Sequence, residues 1–171
     1  MSAATEPITF SQANPAQRMV RRFASSTPGS WVFSRLAHRL DKPVYSATKG
    51  KHTAASILAG LPIVMLTTTG ARSGKPRTVP IVGLPTEDGL AVIASNYGQE
   101  HHPAWYYNLA KNPEATAAVD ERSWKVRAVE AEGERRQRIW DEALRIYPGY
   151  TTYEKRASHR KIHVFVLEPV T

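Results

Sequence analysis

The chain has 171 residues, 42% of them apolar, and no cysteine. That suffices for one domain with a real core but not comfortably for two, and it excludes a disordered chain, disulfides and thiolate metal sites. The formal net charge is +8, a balance that suits an anionic partner such as a phosphate ligand, a nucleic acid or an anionic lipid.

The charge is uneven. Residues 1–52 carry eight Lys or Arg against Glu6 and Asp41, a net of +6; residues 53–171 carry fifteen against thirteen acids, a net of +2. The first 60 residues therefore read as a basic, partly helical extension and 61–171 as a nearly balanced body. Residues 16–24 form a short helix opened by Asn14-Pro15. After the break "TPGS" (27–30), the run "SWVFSRLAHRLD" (30–41) spaces Val32, Phe33, Leu36, Ala37 and Leu40 as one helical face. Arg21 and Arg22 imitate a twin-arginine export signal, but Arg35, His38 and Arg39 interrupt the apolar region it needs. No stretch reaches the roughly 18 apolar residues of a membrane span, and the expectation is a cytoplasmic chain. Trp31 and Phe33 with flanking arginines suit two roles: a helix packed on the body, or peripheral contact with an anionic membrane face.

The body reads as strands. "PIVMLTTT" (62–69) and "RTVPIVGLP" (77–85) flank a basic turn, and "TEDG" leads to "LAVIASN" (90–96). A short helix follows at 102–113, then strands at 114–120 and 123–132. An amphipathic helix at 134–148 turns Ile139, Trp140, Ala143, Leu144 and Tyr147 inward. A helical piece at 150–158 leads to a last strand, 162–169. About six antiparallel strands with interleaved helices predict a small α+β barrel, whose closure removes exposed edges.

The turn "GARSGKP" (70–76) is not a phosphate-binding P-loop: three residues separate its glycines where four are needed, Pro76 follows the lysine, and strands lie on both sides. Glycines at 70 and 74 permit positive φ, so that successive N–H groups point into one concavity ringed by Arg72, Lys75 and Arg77. Such a ring holds a phosphate or carboxylate. The residues alone leave a second reading open, a solvated hairpin tip. His101-His102 point apart with no third ligand nearby, so no metal is assigned.

Four segments in this order, "TTTGARSGKPRTVP", "AVIASNYG", "HPAWYYNL..NP" and "YPGYTTY", resemble the deazaflavin-dependent nitroreductase family over residues 62–169. The resemblance implies an FMN-binding-type split β-barrel and reduced coenzyme F-420, a 5-deazaflavin, as hydride donor. It implies that Arg72, Lys75 and Arg77, with Ser73 and the loop amides, clamp the coenzyme's phosphodiester and polyglutamate tail. Val79 and Pro80 are to lie against the ring, with Ala94 leaving room for it and Ser95 and Asn96 bonding its pyrimidine edge. Trp105 walls the ring pocket or packs in the core; Asn108 bonds the coenzyme or a buried backbone group. Tyr150 and Tyr153 line the substrate pocket, with Tyr147 structural. Ser95, Tyr150 and Tyr153 are the candidate proton donors beside a small-molecule acceptor: a quinone, a nitroaromatic or an activated alkene. Val82 stands where some family members have tyrosine, which leaves the acceptor open. The competing expectations are an FMN-binding oxidoreductase on the same barrel and a nucleic-acid-binding barrel. FMN lacks the polyanionic tail. Against nucleic acid, the aromatics at 105–107 and 147–153 are not interleaved with the cations.

Overall fold

The computed structural model describes residues 9–26, 28–29, 60–120 and 122–170. The helix expected at 30–41 and the segment after it lie outside these residues.

Helix α1 (Pro15–Ser25) starts where its sequence directs. The Asn14 side chain accepts the Gln17 N–H at 2.8 Å, and the Gln17 side chain accepts the Asn14 N–H at 3.2 Å. This reciprocal pair satisfies two donors that a helix start leaves open. The helix is tied to the body by Arg21, only 1% exposed, which donates to the carbonyls of Ile146 (2.7 Å) and Gly60 (2.9 Å).

Seven strands follow: β1 (Ile63–Thr69), β2 (Pro76–Val82), β3 (Leu84–Thr86), β4 (Gly89–Ile93), β5 (Glu114–Val119), β6 (Arg122–Glu130) and β7 (Val164–Pro169). They make one antiparallel sheet in the order β2-β1-β5-β6-β7-β4-β3. The two edge strands, β2 and β3, are separated in sequence by Gly83 alone. In a flat sheet of this order they would lie about 29 Å apart, at about 4.8 Å per strand. The two Cα–Cα steps from Val82 to Leu84 span at most about 7 Å, so the sheet must curl until its edges meet. Gly83 is the hinge of that closure. Its N–H donates to the Pro62 carbonyl at 2.9 Å, and a Cβ there would sit 2.8 Å from Val64 Cγ1.

The sequence run 77–85 is therefore two strands on opposite edges, which raises the expected six to seven. The remaining elements are α2 (Ala104–Lys111), α3 (Gly133–Ile146), α4 (Gly149–Arg156) and a single 3-10 turn, Asn96–Gly98, after β4.

The curl creates two cores. Inside lie Val64, Leu66, Val92, Ala94, Val126, Phe165 and Leu167, plugged by Trp105 and Leu109 of α2. Outside, Ala91, Ile93, Val164 and Val166 meet Ile139, Trp140, Ala143 and Ile146 of α3 and Tyr150 and Tyr153 of α4. Strands β4 and β7 are thus buried on both faces. That is why "LAVI" and "VFVL" are unbroken apolar runs, whereas β6 alternates.

Candidate functional site

The basic turn is a loop of six residues, 70–75, closing β1 against β2 with Thr69 opposite Pro76. The Gly70 N–H donates to Lys75 O (2.9 Å), the Gly74 N–H to Gly70 O (2.8 Å), and the Lys75 N–H to Ser73 Oγ (3.3 Å). Only one of its glycines needs the left-handed region: Gly74 has φ +65°, while at Gly70 a Cβ would collide with Ser73 Oγ. The N–H groups of 70, 71, 74 and 75 are engaged within the protein, so anion binding at this loop falls chiefly to side chains. Arg72, Lys75 and Arg77 are all exposed. Among the described residues none of the three has a carboxylate partner. The stem of Arg77 lies across Gly70, with Cγ 3.5 Å from where a Cβ would be, which keeps this cation at the loop.

Helix α2 holds the loop from below. Buried Asn108 accepts the Ala71 N–H at 2.8 Å and donates to Thr68 Oγ1 at 2.9 Å; Lys111 Nζ donates to Ala71 O at 2.7 Å. The Asn108 amide thus spends one end on the loop and the other on the end of β1 that leads into it. Trp105, one turn earlier, is 6% exposed and meets Phe165 edge-on in the inner core.

On β2, Val79 and Pro80 point to opposite faces. Val79 packs on the inner core, while Pro80, paired with Met65 on an edge strand, faces outward together with Val82. An edge strand is where proline is tolerated.

Where β4 ends, Ala94 is fully buried and Ser95 is 8% exposed. Asn96, Tyr97 and Gly98 then take φ of +47°, +56° and +73° in succession. Asn96 Nδ2 donates to His101 O at 2.8 Å. Arg160 closes over this turn, donating to Ala94 O (3.3 Å), Ser95 O (2.8 Å) and Gln99 O (3.1 Å), with His102 Nδ1 at 3.2 Å. Burial first, and the Arg160 and His163 charges after it, hold the His102 imidazole below its usual pKa. His102 is therefore neutral near pH 7, and its Nδ1 accepts the Arg160 proton. His102 also stacks on Tyr106 of α2 at 4.3 Å. One end of α2 thus touches the turn after β4 and the other end the basic loop, and an eight-residue helix is about 12 Å long.

Tyr150 and Tyr153 belong to the outer core, 5% and 3% exposed. The Tyr153 hydroxyl donates to Ala24 O at 3.0 Å, so the 2.8 Å contact with Tyr147 is donated by Tyr147. The Tyr153 ring meets Tyr97 edge-on at 5.9 Å, which links this cluster to the turn. Burial, with neighbouring phenols adding to it, pushes the Tyr147 and Tyr150 hydroxyls far above the usual phenol range. Both stay protonated, so neither hydroxyl is a base near neutral pH.

The sequence reading did not single out Arg160, Lys111 or the Glu130–His163–Lys161 cluster. There Glu130 Oε1 lies 2.7 Å from His163 Nδ1 and 3.0 Å from Lys161 Nζ. "HRKIH" (159–163) reads as an ordinary polar connection; no spacing marks which cation will cap carbonyls of a loop some 65 residues earlier. Among the described residues no group of three His, Cys, Asp or Glu is placed to hold a metal ion.

A curled antiparallel barrel with an exposed cationic hairpin at one end of α2 and a strained turn at the other defines a split-barrel protein. Residues 37–169 match the family model described as F420H(2)-dependent quinone reductase, and the chain belongs to that family. It is 32% identical over 136 residues to the F420H(2)-dependent quinone reductase Rv1261c of Mycobacterium tuberculosis, covering 75% of this chain and 87% of the relative. It is 29% identical over 109 residues to the putative F420H(2)-dependent quinone reductase Rv3178 of the same organism, covering 64% and 91%. Among solved structures it resembles an F420-H2 dependent reductase, FDR-A, at 39% identity and TM-score 0.57, covering 63% of this chain and 94% of that one.

Proposed function

We propose that the chain reduces a quinone with reduced coenzyme F-420, holding the coenzyme's anionic tail on the 70–77 hairpin and its ring near the end of β4. The observation that carries this reading is the cationic triad Arg72, Lys75 and Arg77, without carboxylate partners among the described residues, on a loop that Asn108 and Lys111 hold rigid. Three such charges fit a phosphodiester followed by carboxylates, and Ser73 adds a hydroxyl. When bound, the deazaflavin supplies the hydride, so the protein's tasks are binding, orientation and exclusion of water.

On this reading Pro80 offers the outward apolar contact for the ring, and Val79 supports it from the inner core. Buried Ala94 keeps the approach to β4 shallow, and Ser95 and Asn96 supply polar groups. Trp105 and Asn108 act through packing and loop support. Tyr150 and Tyr153 back the turn through Tyr97. Ser95 is then the proton donor nearest the ring; Tyr150 stays protonated and is a donor rather than a base, while Tyr153, whose hydroxyl donates to Ala24 O, serves the turn through its ring contact with Tyr97. Hydride transfer needs the reacting atoms within about 3.5 Å, which makes a flat acceptor stacked on the ring the natural substrate. Nitroaromatics and activated alkenes meet the same requirement, and Val82 leaves space beside Pro80 for a broad acceptor. A lipid-soluble quinone suits a chain that works on the cytoplasmic face of the membrane and touches it through the basic segment before residue 60.

The test is anaerobic mixing of the full chain with reduced coenzyme, then addition of a menaquinone analogue or a nitroaromatic. Catalysed oxidation of the coenzyme, fastest with the quinone, is expected. No oxidation with any acceptor, or purification of the chain as an FMN protein, would contradict the reading.

A further inference from the structure

We propose that Arg160 is a positioning residue: its guanidinium fixes the left-handed turn 96–98 and thereby sets the direction in which Ser95 and Asn96 face the ring-binding end of the site. The proposal rests on the functional reading above.

Three successive residues in the left-handed region are unusual, and two of them, Asn96 and Tyr97, carry a Cβ. Side-chain-bearing residues enter that region singly when a local contact compensates, rarely in series. Backbone held this way persists only where its surroundings over-determine it, and such places cluster at functional sites. Here the surroundings are specific. Arg160 donates to two carbonyls before the turn, Ala94 O and Ser95 O, and to one after it, Gln99 O. Neutral His102 accepts at the same fork. A lysine cannot replace this, because one ammonium does not reach carbonyls on both sides of a turn in fixed planar geometry. From the other side, a Cβ at Gly98 would come within 2.9 Å of Tyr153 O and 2.8 Å of Arg156 Cβ, so α4 leaves the turn no room to relax outward. His159 adds a contact from its ring Nε2 to Glu100 O at 3.1 Å.

The turn is therefore gripped from both sides, while the Ser95 hydroxyl has no hydrogen-bond partner among the described residues. A rigid backbone carrying an uncommitted hydroxyl is the arrangement a positioned polar contact requires. The inner end of the site is then set by Arg160, and the tail end by Asn108.

The experiment compares the full chain with Arg160→Lys and Arg160→Ala in two measurements. In the coenzyme-free chain, hydrogen exchange is followed at the Gly98 and Gln99 amides, which donate to Ser95 O and Asn96 O. Both variants should exchange there about tenfold faster or more. With coenzyme and acceptor, kcat should fall about 10- to 100-fold while coenzyme Kd stays within about threefold, because the tail clamp is untouched. Unchanged exchange at Gly98 and Gln99 in Arg160→Ala would overturn the proposal. So would faster exchange with kcat intact. If Arg160→Ala does not fold, Arg160→Lys decides by the same two criteria. If the wild-type chain binds no coenzyme, the functional reading fails, and the exchange measurement alone decides whether Arg160 holds the turn.

Discussion

Asn108 and Ala71 are 37 residues apart, and a 2.8 Å hydrogen bond from the Ala71 N–H to the Asn108 side chain joins them. The bond couples the plug helix of the barrel to the tip of its first hairpin. It places the three cations at a fixed distance from the core, which exposed residues on a free loop would not have.

Removing the amide should therefore act on stability and binding together. Asn108→Ala leaves the Ala71 N–H and Thr68 Oγ1 without their partner in a buried site, at a cost of about 1–3 kcal/mol. Thermal or urea unfolding checks this, and the same variant should bind the coenzyme more weakly although it touches no cation. Asn108→Asp, which keeps an acceptor but loses the donor, should fall between the two.

Gly83 is the second point where a small change has a large expected effect. Its added Cβ would lie 2.8 Å from Val64 Cγ1, between edge strands that one residue joins. Gly83→Ala should destabilise the barrel by about 1–3 kcal/mol through overpacking. A denaturant midpoint equal to wild type would mean that Val64 yields freely and closure is not tight there.

Much of this architecture is legible in the sequence, for physical reasons that can be traced. Asn14-Pro15 announces α1 because capping chemistry is local, and "GARSGKP" announces a hairpin because turn residues are local. Ile139, Trp140 and Ala143 show the buried face of α3 through period alone. What stays hidden is long-range. Gly83 looks like one more glycine in a strand, and only the sheet order reveals that it joins opposite edges. Unbroken apolar runs at β4 and β7 signal burial on both faces, but not which elements cover each face. Asn108 is visible as a polar residue on an apolar helix, but its partner is not, and Arg160 stands in a polar connection that has no distinguishing pattern.

Acid should loosen the turn after β4. The folded state holds the His102 pKa below its ordinary 6.5, through burial first and then the Arg160 and His163 charges. Its neutral form is the one that accepts from Arg160. The stability this contributes is fully present above pH 6.5, begins to fall as pH drops through that value, and is gone below the lowered folded pKa. Unfolding midpoints measured from about pH 8 to about pH 5 should fall on the acid side. His102→Asn, which keeps an acceptor but cannot titrate there, should flatten that limb. An identical pH profile in the variant would assign the acid loss to other groups.

The most direct test of the account is a titration of coenzyme F-420 into the full chain and into a variant carrying Arg72→Gln, Lys75→Gln and Arg77→Gln, followed by coenzyme fluorescence. Charge-assisted contacts of this kind, discounted for exposure, predict an affinity loss of about 100-fold or more. The wild-type affinity should also weaken with added salt more steeply than the variant's. Equal affinity and equal salt dependence in the two proteins would contradict the claim that this hairpin holds the coenzyme's tail.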